Sequence, residues 1–178
     1  MSTPLPPPPA VVVMGVSGSG KTTVGEALSA RFGWPLLEGA QFHPRANIDK
    51  MSSGTPLTDE DRWPWLDAIA TAMREAPDGV IVTCSSLRRI YRDRLRDKAG
   101  RPVIFVYLNG SRDTLAARLA ARKGHFMPAS LLDSQLATLE PPGGDEPLIV
   151  PVSLEPPVET VVRTAIEGVA TARGAEPG

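Results

Sequence analysis

Gly15-Val16-Ser17-Gly18-Ser19-Gly20-Lys21-Thr22 decides the fold of this chain. The run fits G-x-x-x-x-G-K-[ST], a glycine-rich loop whose backbone N–H groups cradle phosphates. A chance glycine-rich turn would lack the right flanks, and here both are present. Ala10-Val11-Val12-Val13-Met14, just before it, is short, apolar and β-branched, as a strand buried on both faces must be. Just after it, Val24, Ala27, Leu28 and Phe32 recur at helical spacing. Strand, loop and helix together aim the loop amides and the helix N-terminus at an anion. In that arrangement Gly15, Val16, Ser17, Gly18, Ser19 and Gly20 form the cradle for ATP. Lys21 reaches the β- and γ-phosphates, the Thr22 hydroxyl binds Mg2+, and Thr23 follows on the same turn.

The composition narrows the class. A chain of 178 residues predicts one domain, and 42% hydrophobic residues suffice for a sizeable core. The net charge of −1 argues against a nucleic-acid or membrane-surface binder. A single cysteine, Cys84, excludes an intrachain disulfide and fits a reducing cytoplasm. One Cys and two His also argue against zinc. Residues 1–9 carry a proline run and no basic stretch, so they read as a disordered tail rather than a signal peptide.

Five strand candidates recur along the chain: Ala10–Met14, Pro35–Glu38, Val80–Thr83, Val103–Leu108 and Leu148–Val152. Between them lie helical patterns at Lys21–Phe32, Pro64–Glu75, Ser86–Lys98, Arg112–Arg122 and about Pro157–Thr171. Alternation of this kind predicts an α/β domain over 10–172, a five-stranded parallel sheet with helices on both faces. A tail at 173–178 would follow it. Two intervals are too long for plain connections, so they read as a binding segment at about 43–63 and a lid at about 123–144. Short helices are expected inside them, at Arg45–Met51 and Pro128–Leu139. Pro64 can sit only in the first turn of its helix, which makes Asp61 the expected N-cap.

Chemistry-bearing residues cluster at the predicted carboxyl ends of the strands, where such sheets bind ligands. Glu38 ends the second strand. It can bind Mg2+ through water, orient an acceptor hydroxyl, or simply face solvent. Ala40, two residues on, brings no chemistry. His43, Arg45 and Lys50 suit an anionic or polyhydroxylated acceptor, or else a solvated face with His43 fixing a turn. In the helix after the third strand, Leu87, Tyr91 and Leu95 form the buried row. Arg88 and Arg92 lie on the next row, and Arg88 is the better ligand candidate because it opens the helix beside the sheet edge. Arg118, Arg122, Lys123 and His125 lead into the lid interval. Cations there can clamp ATP and stabilise the transferring phosphoryl group, whereas a lone Arg would only complement a helix dipole.

At these segments the sequence resembles the small P-loop gluconokinases, relatives of shikimate and nucleoside monophosphate kinases. The resemblance spans about residues 11–162. It is carried by MGVSGSGKTT (14–23), HPRANIDKMSSGTPLTDEDRWPWL (43–66), CSSLRRIYRDRLR (84–96) and RKGHFMPASLLDSQLATLE (122–140). It implies ATP-dependent phosphorylation of D-gluconate to 6-phosphogluconate, a sheet order of 2-3-1-4-5, a mobile lid and a homodimer. Lys21, Glu38 and Arg122 would then be catalytic. Arg118 and Arg122 would help bind ATP, and Thr22 and Glu38 would hold Mg2+. His43, Arg45, Lys50, Arg88, Arg92 and His125 would receive gluconate. Three positions depart from the family pattern. Ala40 stands where the relatives resemble Asp, Ser86 where they show Ala, and Arg88 where they show Lys. The missing carboxylate leaves two other readings open: a kinase of another small polyhydroxy acid, or a nucleotide-binding protein with little catalysis.

Overall fold

The computed structural model describes residues 8–121 and 129–175. Strands β1 (Ala10–Met14), β2 (Leu36–Glu38), β3 (Val80–Thr83), β4 (Val103–Asn109) and β5 (Ile149–Ser153) form one sheet of order β2-β3-β1-β4-β5. Every pairing is parallel. The fold class is the one the alternation of elements predicts, and the strand order is the one the family resemblance implies. Parallel strands need crossovers, which put helices on both faces and bury the sheet twice over. That explains the unbroken apolar run of β1, all five residues of which are buried.

The side chains of β1 alternate between two cores. Val11 and Val13 join one cluster, and Ala10, Val12 and Met14 the other. β4 does the same, with Ile104, Val106 and Leu108 on the first face and Val103, Phe105 and Tyr107 on the second. Helices α1 (Lys21–Phe32) and α7 (Val158–Ala175) cover the first face, through Val24, Leu28, Val161, Ala165 and Val169. Helices α3 (Asp59–Glu75) and α4 (Arg89–Ala99) cover the second, through Leu66, Ile69, Met73, Tyr91 and Leu95. Of the remaining helices, α5 (Arg112–Ala121) and α6 (Ala129–Thr138) add Leu115 and Leu132 to the first face, and α2 (Arg45–Ser52) lies between β2 and α3 in the chain.

Several boundaries differ from the sequence reading. Helix α3 starts five residues before Pro64, so that proline lies inside it. Thr58 is the N-cap: its hydroxyl accepts from the Asp61 N–H at 3.1 Å, while the Asp61 carboxylate accepts from the Thr58 N–H at 2.9 Å. Asp61 is thus the third helical residue of a capping box, not the cap. Helix α4 starts at Arg89 rather than Ser86, because Ser86 takes a left-handed φ of 50° that no helix continues. The chain does not stay extended past Glu38 but winds into a 3-10 turn over Gly39–Phe42. Gly39 lies against β3, where a Cβ would collide with the Thr83 carbonyl oxygen, so only glycine permits that turn. Helix α7 runs to Ala175, which extends the folded unit beyond residue 172. Arg173 stacks on Trp34, 4.8 Å from the ring centroid. Arg122, Lys123 and His125, with the start of the lid interval, lie outside the described residues.

Candidate active site

β1 sits at the centre of the sheet and delivers the chain to Gly15 at its carboxyl end. The glycine loop that follows takes backbone angles that side chains resist, with φ of 84° at Gly18 and 89° at Gly20. A Cβ at Gly18 would also collide with Leu119. Gly20 caps α1 with no side chain, and the first turn holds no acid. The N-terminal amides of α1 therefore face outward with the positive end of the helix dipole behind them. They open on a cavity of about 440 Å³ lined by Ser17, Gly18, Gly20, Lys21, Thr22, Thr23, Arg118 and Ala121. The Lys21 ammonium lies over the leading half of the loop and donates to the Gly15 and Val16 carbonyls at 3.0 and 3.1 Å. Ser19 is buried in the turn. Arg118 reaches the cavity from α5 and also donates to the Leu154 carbonyl at 3.1 Å.

Strand register builds the next feature. Glu38 pairs with Thr83, and Thr83 pairs with Val13, so the ends of β2, β3 and β1 line up in one row. The Glu38 carboxylate bridges that row. It accepts from the Thr22 hydroxyl at 3.1 Å and, on its other oxygen, from the Thr83 hydroxyl. A carboxylate and a hydroxyl, both hard oxygen donors, fit Mg2+, which takes one or two protein ligands and completes its shell with water and phosphate. No group of three or more His, Cys, Asp or Glu side chains converges among the described residues. A closed protein-only metal cage is thus not what this edge builds.

Between α2, α3 and the start of α4 lies a web of ion pairs. Arg88 donates to Asp59 at 2.7 Å, and the Tyr91 hydroxyl donates to the same carboxylate. These bonds, Tyr91 first and Arg88 after it, hold the Asp59 carboxyl below its usual range. Lys50 pairs with Asp61 at 2.7 Å, which brings the Asp61 carboxyl down to about 2 together with the backbone bond from Thr58. His43 stacks on Trp65 with centroids 4.2 Å apart, and Asn47 donates to its Nδ1 at 3.2 Å. Burial, with Arg62 second, lowers the His43 pKa, so the ring stays neutral at pH 7 and offers no cation.

Two expected ligands stand elsewhere. Arg92 is fully buried: its guanidinium grips Glu146 at 2.6 and 3.0 Å and donates to the carbonyls of Ser86 and Glu140. Burial alone would raise the Glu146 carboxyl, but Arg92 and Arg96 outweigh it and bring it down to about 2. Arg92 therefore braces the loop that carries Arg88 and cannot face a substrate. Arg45 is 87% exposed on α2 and pairs only with Asp49 among the described residues. Sequence reasoning missed the partners of the expected site residues: Thr83 on Glu38, Asp59 and Glu140 on Arg88, and Gln135 on Ser17. Of these only Asp59 stood beside a readable signal, the Thr58-x-x-Asp61 capping box.

Residues 11–142 match the family model described as an AAA domain. The chain is 56% identical over 142 residues to the gluconokinase of Gluconobacter oxydans (strain 621H), covering 78% of this chain and 79% of that one. It is 44% identical over 160 residues to the thermoresistant gluconokinase of Escherichia coli (strain K12), covering 88% and 90%. The crystal structure of a gluconokinase from Sinorhizobium meliloti 1021 superposes with a TM-score of 0.87 at 49% identity, over 95% of both chains. An APS kinase of Mycobacterium tuberculosis, at 17% identity and a TM-score of 0.65, shares the fold alone.

Proposed function

The chain belongs to the gluconokinase family, and we propose that it transfers the γ-phosphoryl group of ATP to a hydroxyl of D-gluconate, giving 6-phospho-D-gluconate. One observation carries the reading: the phosphate cradle, Lys21, Thr22 and Glu38 meet at the same edge of the sheet, with Arg88 on the neighbouring helix start. Lys21 offsets charge on the phosphates. Thr22 and Glu38 hold Mg2+, Glu38 through water, and a Mg2+ ion there would neutralise charge on the β- and γ-oxygens. Arg118 contacts ATP from α5, and Arg122 adds charge on the phosphoryl group. Gluconate brings a carboxylate and hydroxyls. Arg88, Lys50, His43 and His125 receive it, in competition with Asp59 and Asp61, which already hold Arg88 and Lys50. Phosphoryl transfer is mainly positioning and electrostatics, so the absence of a carboxylate at Ala40 does not remove its basis. A homodimer and a cytoplasmic location complete the reading. No helix among the described residues is long and apolar enough to cross a membrane.

The test is ATP consumption across a panel of sugar acids. D-Gluconate is expected to give the highest kcat/KM. A different acid in first place would reassign the acceptor. Nucleotide binding without turnover on any acid would make the chain a binding protein, with Ala40 as the reason.

A further inference from the structure

We propose that Gln135 is a positioning residue for phosphoryl transfer: it aims the Ser17 hydroxyl into the γ-phosphate end of the nucleotide cavity. The proposal rests on the phosphoryl-transfer reading above. Gln135 lies on α6, 118 residues from Ser17, and makes two bonds to that one residue. Its Oε1 accepts from the Ser17 backbone N–H at 2.7 Å, and its Nε2 donates to Ser17 Oγ at 3.0 Å. The backbone N–H can only donate, which fixes the way the amide faces. Ser17 Oγ must then accept, and its own proton is left to point elsewhere. Ser17 lines the cavity, so the cavity is where a phosphate oxygen would meet that proton.

The position along the loop makes the donor specific for the last phosphate. The Lys21 ammonium, the group that reaches the β- and γ-phosphates, rests on the Gly15 and Val16 carbonyls beside Ser17. The α1 amides serve the other end of the loop. With its N–H committed to Gln135, Ser17 meets phosphate through its hydroxyl alone. Gln135 itself stands on a helix anchored on both sides of it. Leu132, one turn earlier, is fully buried. Glu140, just past the helix, donates its N–H to the Leu87 carbonyl at 2.7 Å and accepts from the Arg89 N–H at 2.7 Å. A donor aimed before the substrate arrives needs no reorganisation during transfer, which is what makes such groups effective.

The experiment compares Gln135→Ala, Gln135→Met, Ser17→Ala and the double variant Ser17→Ala/Gln135→Ala with the unmodified chain. Melting temperature, affinity for ADP and for β,γ-imido-ATP without acceptor, and kcat with gluconate are measured on each. Both Gln135 variants are expected to lose about 10-fold in kcat, below the ~10²–10³-fold of deleting a preorganised donor outright. They should bind β,γ-imido-ATP more weakly while ADP affinity stays within about 2-fold. The double variant should be no worse than Ser17→Ala, the non-additivity of two groups acting as one. Equal losses for ADP and β,γ-imido-ATP would overturn the proposal, as would unchanged kcat in Gln135→Met or independent, multiplying effects of the two sites. The binding arm needs no acceptor. A chain that binds both nucleotides but never phosphorylates gluconate sinks the proposed activity, and the ADP comparison still decides the role of Gln135.

Discussion

The nucleotide end and the acceptor end of the site use opposite materials. Gly15 to Thr23 is one unbroken run, and what it presents is mainly backbone: outward amides, two left-handed glycines and a helix N-terminus. The acceptor end draws Lys50, Asp59, Asp61, Arg88 and Tyr91 from α2, α3 and α4 and its surroundings, and each cation already holds an acid. The first end waits for charge, whereas the second has neutralised its own. A ligand entering the first fills an open electropositive cradle, while one entering the second must share or replace Asp59 on Arg88 and Asp61 on Lys50. Affinity for nucleotide is therefore set by geometry present in the fold. If the proposed acceptor residues receive gluconate, selectivity is a competition between gluconate and the acids of α3.

The sharpest way to break this contrast is at Arg92, which the structure removes from the acceptor end. Glu146→Ala leaves the Arg92 guanidinium buried without its partner and should destabilise the fold by about 3–5 kcal/mol, read as a lowered midpoint in urea unfolding. The same pair predicts acid sensitivity. The Glu146 carboxyl is depressed from 4.5 to about 2 in the folded chain. Its contribution is complete above pH 4.5 and is lost as the pH falls from there towards 2, because protons then bind the unfolded chain first. A stable Glu146→Ala variant with a raised KM for gluconate would put Arg92 back among the ligands. Next in size is Lys21→Ala, which should cut turnover by about 10²–10³-fold, the scale of a lost transition-state donor, and leave the melting temperature nearly unchanged. Near-normal turnover would mean the cradle is not the working nucleotide site. Arg88→Ala should raise the gluconate KM by roughly 10-fold, as a charged hydrogen bond of 1.5–3 kcal/mol allows, with ATP affinity constant. A change confined to ATP would move Arg88 across the divide. The smallest effect belongs to Arg45→Ala: an exposed pair with Asp49 is worth no more than about 0.5 kcal/mol, and gluconate kinetics should not respond. A raised KM there would extend the acceptor end onto the outer face of α2.

What the sequence made legible follows the same division. β1 could be read because a doubly covered strand must be apolar throughout, and α1 because Val24, Ala27, Leu28 and Phe32 recur at helical spacing. The cradle followed, since its function depends on a local backbone pattern. The acceptor end was harder because pairing among charges is decided by tertiary approach. Arg88 and Arg92 share a helix face by spacing, yet one is the N-cap beside Asp59 and the other is sealed under Glu146. Ser86 reads as helical until its left-handed φ is known. Ala40 would share a side with Glu38 only in an extended chain, and the 3-10 turn over Gly39–Phe42, which Gly39 permits by its contact with β3, ends that alternation. Thr58-x-x-Asp61 is the signal that the expected Asp61 cap overlooked, since the capping box starts α3 at Asp59.

The grip of Glu146 on Arg92 also bears on how the chain is completed during synthesis. The two residues are 54 positions apart, and Arg92 emerges first. Until the later segment arrives, that guanidinium has no anion to enter the interior with, and the first amide of α4 lacks the carboxylate of Glu140. A nascent chain that ends before residue 140 cannot finish the start of α4, so the half that carries Arg88 becomes stable only when nearly the whole domain has been made.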